Sequence, residues 1–79
     1  MVEITVKDLE EIVDKRLFSA GKILLMDALR KLEIAESQVL TPEDAIFALE
    51  VMRENMHSEV SKDAVNKCIE DFSNHFNEL

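Results

Sequence analysis

SAGKILLMDALRKLEIAE, residues 19–36, is the stretch on whose reading the fold depends. At about 100° per residue, Leu24, Leu25, Ala28, Leu29, Leu32 and Ala35 fill one broad arc; Ala20, Ile23 and Ile34 fall on a second, bounded by Asp27, Arg30 and Lys31. A helix that is apolar on two sides requires neighbours on both. Leu, Ala, Met, Lys and Arg favour the helix, whereas Gly21 opposes it by about 1 kcal/mol relative to Ala and marks a boundary or a point of close packing.

Upstream, Val2, Ile4 and Val6 alternate as in a short strand, but a lone strand would have no partner. Thr5 as N-cap, Asp8 at N3 and Ile4 with Leu9 as a hydrophobic staple instead predict a helix from Val6 to Leu17 or Phe18. Its apolar side is carried by Val6, Leu9, Val13 and Leu17. Downstream, periodicity fades at Glu36-Ser37-Gln38, and Thr41-Pro42-Glu43-Asp44 supplies an N-cap, a proline at N1 and two first-turn carboxylates. The helix that begins there carries Ala45, Leu49, Met52 and Met56, widened by Ile46 and Phe47. From about Ser61 a last stripe steps through Val65, Ile69, Phe72, Phe76 and Leu79, with Ala64 and Cys68 beside it.

Two joints, near 18–21 and 57–61, decide the architecture. If both break, with Ser19 and Ser61 as caps, the chain is all-α, a small bundle of four helices, and this is the expected fold. If neither breaks, it is a long helical hairpin that dimerises into a four-helix bundle. Residues 1–79 form a single helical domain in both cases, at a size where one core is marginal and a homodimer is expected to supply further burial.

One glycine, one proline and no Trp or Tyr leave little turn chemistry for a large sheet. The single Cys68 excludes an internal disulfide framework. With no signal-peptide pattern and no apolar run approaching the roughly 18 residues of a span, a cytoplasmic setting without membrane contact is expected. The net charge of −8 is unevenly spread. Residues 15–32 carry Lys15, Arg16, Lys22, Arg30 and Lys31 against Asp27 and are net +4, whereas residues 1–14 are net −4 and 33–79 net −8. The basic block is expected to meet acidic edges of neighbouring helices, and nucleic acid is disfavoured as a partner by the overall charge.

Chemistry-bearing constellations are few. Glu54 and His57 have the Glu-x-x-His spacing of di-metal bundles, but no second copy of the motif exists. Cys68, Asp71 and His75 share a helix face at i, i+3 and i+7, yet Cys68 borders the last apolar stripe, where a free thiol behaves as a small hydrophobe. No arrangement activates a nucleophile, one glycine cannot build a phosphate-cradling loop, and no EF-hand pattern occurs. No catalytic, cofactor or metal site is expected.

The segment from Ala28 to Leu49, a helix, a short connector and then Leu40-Thr41-Pro42-Glu43-Asp44-Ala45-Ile46-Phe47-Ala48-Leu49, resembles in outline the second loop and third helix of histone-fold proteins, where a Thr-x-x-Asp pattern starts the last helix. The resemblance covers about a quarter of the chain; the DNA-facing basic residues of that family are missing and a further helix follows, so no family is assigned. The expected function is a small acidic, non-enzymatic interaction module, an adaptor or regulator. It offers an apolar surface of Phe47, Met52 and Met56, rimmed by Glu43, Glu50 and Glu54, to a basic or amphipathic protein. The alternatives are an acidic nucleic-acid mimic that inhibits a nucleic-acid-binding protein, and direct nucleic-acid binding through the basic block 15–31.

Overall fold

The computed structural model describes residues 3–77, with side chains to His75. Val2 and Leu79, and the side chain of Phe76, each assigned to an apolar stripe above, lie outside the described residues. The order of elements is β1 (Ile4–Thr5), α1 (Val6–Lys31), β2 (Val39–Leu40), α2 (Pro42–Glu54) and α3 (Glu59–Asn77).

The four-helix bundle is therefore corrected to three helices and a two-stranded antiparallel sheet, and the long hairpin is excluded with it. Two departures produce the difference. Ile4–Thr5 does find a strand partner, pairing Ile4 with Leu40 and Thr5 with Val39. Directly opposite residues of a ladder share a face, so Ile4 and Leu40 are both buried and the sheet clips the start of α1 to the start of α2. The helix start expected at Thr5 forms as well: the Asp8 N–H donates to Thr5 Oγ1 (3.3 Å) and the Thr5 N–H donates to Asp8 Oδ2 (2.9 Å).

The second departure is that the first two expected helices form one element, α1, bent at Phe18. Phe18 has φ 58° and ψ −151°, a region that only glycine enters freely, and holding a phenylalanine there costs on the order of 1–3 kcal/mol. Beyond the bend the chain folds back closely enough that a Cβ on Gly21 would overlap Leu17 Cβ and lie 2.6 Å from Val13 Cγ1. Gly21 is thus the point of close packing its sequence position suggests.

The helix ends at Lys31, short of Glu36. The Glu33 N–H donates to the Arg30 carbonyl (3.1 Å) and the Ile34 N–H to the Leu29 carbonyl (2.9 Å), the two bonds of a Schellman cap. Its left-handed position is held by Glu33, φ 59°, where glycine is usual. Glu33→Gly is expected to raise stability by up to about 1 kcal/mol, read as a higher midpoint in urea, because this side chain is exposed and glycine takes the left-handed conformation without its backbone cost.

Thr41 caps α2, accepting from the Asp44 N–H at 3.1 Å, with Pro42 at N1 as expected. The break between α2 and α3 falls at residues 55–58, and Ser58 rather than Ser61 caps α3, its Oγ accepting from the Ser61 N–H (3.2 Å). Val65, Cys68 and Phe72 are buried along α3, which packs on both α1 and α2. The radius of gyration, 11.4 Å, is close to the ~11.6 Å of a compact chain this long, so one copy closes its own core.

Candidate interaction surface

Helix α2 has two unlike faces. Ala45, Leu49, Met52 and, just past its end, Met56 step by 4, 3 and 4 and are buried, with Ala48 buried beside them. Met52 and Met56 thus form part of the core rather than of an exposed groove; Met52 is 0% exposed. Phe47 points the other way and is 55% exposed. At about 100° per residue, Glu43, Glu50, Val51 and Glu54 all lie within about 60° of Phe47, whereas Met52 and Met56 lie about 140° and 180° from it. Phe47 and the three rim carboxylates are therefore brought to one face, and the two methionines are not.

That face is stiff and negative. Its back is anchored in the core, and Asp44 adds a fourth carboxylate beside Phe47. Arg53 lies at its edge, with Nη2 4.0 Å from Glu50 Oε2 and Nη1 donating to Asn66 Oδ1 of α3 at 2.6 Å. Glu43 and Glu54 are exposed, and Glu50 and Val51 are half-buried.

Three cations of the basic block pair with carboxylates, Arg16 across to α3 and Lys22 and Lys31 within α1. Arg16 reaches α3 and grips Asp71 with two bonds, Nε to Oδ2 (2.7 Å) and Nη2 to Oδ1 (3.1 Å). Lys31 lies 3.3 Å from Asp27, and Lys22 4.0 Å from Asp14. The guanidinium bonded to Asp71 holds its carboxyl below the ordinary 3.8, while the same bond raises the pKa of Arg16.

A depressed carboxyl pKa contributes stability above its unfolded value and loses it as pH falls through the folded one. Arg16, raised further from an already high value, loses its share only in strong base, so acid alone is diagnostic. The melting temperatures of the parent chain and Asp71→Asn are expected to differ modestly at pH 6, since the pair is over a third exposed, and to converge as pH falls below 3.8 in thermal melts.

Lys22, Ile23, Met26 and Arg30, with Glu10 and Glu36, line an open depression of about 340 Å³. It mixes both charge signs over an apolar floor, and Ile23, which the helical wheel gives a neighbour on its second arc, is instead exposed. Phe18, Val39 and Val60 are the other large exposed apolar residues among those described.

Cys68 is buried with its thiol 3.9 Å from the Ile12 carbonyl, and burial pushes its pKa up to about 11. A thiol so held is protonated at neutral pH and shielded, and its face-mate Asp71 is engaged by Arg16. Glu54 and His57 are both exposed. Among the described residues no three His, Cys, Asp or Glu side chains converge as a metal site.

The fold and this surface define a small, mainly helical domain with a two-stranded clip. No protein family, curated protein or solved structure matches the chain. None of the helices among the described residues is long and apolar enough to cross a membrane.

Proposed function

We propose that the domain is a non-enzymatic protein–protein interaction module, an adaptor or regulator, that presents the outer face of α2 to a basic, amphipathic segment of a partner protein. The observation that carries this reading is Phe47, a large apolar side chain 55% exposed at the centre of a helix face otherwise made of Glu43, Glu50, Val51 and Glu54. An aromatic on a rigid backbone, rimmed by charge, is the usual form of a binding hot spot, and the carboxylates select a cationic partner. Met52 and Met56 support the face from beneath and do not touch the partner. A cytoplasmic setting belongs to the same proposal.

The test is a titration by fluorescence anisotropy with a synthetic helix-forming peptide of leucine and lysine, its leucines spaced by three and four. Phe47→Ala is expected to weaken binding about tenfold or more, with a shallow salt dependence. Affinity unchanged by Phe47→Ala and falling steeply with salt would favour the acidic nucleic-acid mimic, in which the carboxylates act as a field and the apolar centre is idle.

A further inference from the structure

The bend in α1 is opposed by the backbone of Phe18 and by helical spacing that continues through it, and it is admitted by Gly21. Phe18 takes a backbone conformation foreign to it, and its side chain, 70% exposed, gains no burial in return. Gly21 sits where the fold-back leaves no room for a Cβ beside Val13 and Leu17. In a straight helix, residues one turn apart hold their Cβ atoms about 5–6 Å from each other, so that crowding exists only in the bent form. Apolar residues recur at helical spacing on both sides of the bend, Leu9, Val13 and Leu17 before it and Gly21, Leu25 and Ala28 after it, drifting by about 40° with each step of four, and no proline interrupts them. The sequence thus encodes one uninterrupted helix as readily as a bent one.

We infer that α1 has a straight state in which residues 3–17 leave their own core and are received by the core of a second copy, giving an arm-exchanged dimer. Straightening requires the exchange. Along a straight helix Val13 and Gly21 are about 12 Å apart, whereas the fold brings Val13 Cγ1 within 2.6 Å of where a Gly21 Cβ would be, so straightening withdraws residues 3–17 from their own core. What the arm vacates fits only another such arm: the β2 edge that pairs Leu40 with Ile4, Cys68 against the Ile12 carbonyl, and Asp71 waiting for Arg16. Both copies keep every core contact and both lose the strained joint, the condition under which exchange is favoured by mass action. The dimer joins the same three-helix units through their arms and leaves Phe47 outside, so it is independent of the function proposed above.

The experiment is light scattering over a range of protein concentrations on the full chain, Phe18→Gly and Phe18→Ala. Because residue 18 is exposed, neither variant empties the core. Glycine is at ease at φ 58° and poor in a helix, and alanine is the reverse, so the dimer dissociation constant of Phe18→Ala is expected to lie about tenfold or more below that of Phe18→Gly. Equal association of the two, or monomers throughout to millimolar concentration, would overturn the inference.

Exchange is separated from simple side-by-side pairing by charge reversal in the Phe18→Ala background. One chain carries Arg16→Asp and the other Asp71→Arg, so each has a repelling pair within its own fold. In an exchanged heterodimer both contacts become attractive, and the mixture is expected to melt above either chain alone. A mixture that melts as the superposition of its parts would show that no arm has crossed.

Discussion

Met52→Ala is expected to destabilise the domain by about 2–5 kcal/mol, because it empties a fully buried site that α2 presents to the core. A domain of this length has on the order of 4–12 kcal/mol in total, at roughly 0.05–0.15 per residue, so the loss is a large share of it. At about 4–8 °C per kcal/mol, Tm should fall by roughly 8 °C or more. Phe47→Ala five residues earlier should move it by no more than about 4 °C, since truncating an exposed side chain costs within about 0.5 kcal/mol. The contrast, read by thermal melts of the two variants, checks the division of α2 into a structural and a presenting face.

Phe72→Ala should cost more, about 3–5 kcal/mol. Phe72 is the largest fully buried side chain among the described residues, and it lies on α3, which packs against both α1 and α2. The cavity would open on the core side of α3, and close-packed neighbours can collapse into it only in part. Urea unfolding of Phe72→Ala near the parent midpoint would mean that α3 is packed more loosely than its burial shows.

What could be seen in the sequence was local chemistry with a strong stereochemical demand. Thr5 with Asp8, and Thr41 with Pro42, each satisfy helix-start donors through their own side chains or remove one, so both starts are found where the residues place them. Gly21 was legible as close packing because no other residue in its neighbourhood lacks a Cβ. The features that escaped have no local signature. Each strand is two residues long, too short for an alternating pattern, and its partner is distant in sequence, so the Ile4–Leu40 pairing emerges only once α1 returns the chain. The bend falls at Phe18 with no proline, and the apolar spacing runs through it. The end of α1 was obscured because Glu33 occupies the position at which glycine normally signals a stop.

The interaction face was within reach of the sequence. Phe47 adjoins Ile46 and was grouped with the stripe of Met52 and Met56 on hydrophobicity, although the helical repeat alone sets it on the opposite side. The same repeat gathers Glu43, Glu50 and Glu54 around it. What periodicity could not supply is which face the rest of the fold covers, and that follows from α3 and the kinked α1 closing over Ala45, Leu49 and Met52.

The most direct test of the central claim is to follow the backbone amide resonances of isotope-labelled protein as the leucine–lysine peptide is added. Shifts are expected to concentrate at Glu43, Phe47, Glu50, Val51 and Glu54 and to be lost in Phe47→Ala. Shifts spread along the carboxylates of α3, or gathered around Lys22, Ile23 and Arg30, would contradict it and move the site away from α2.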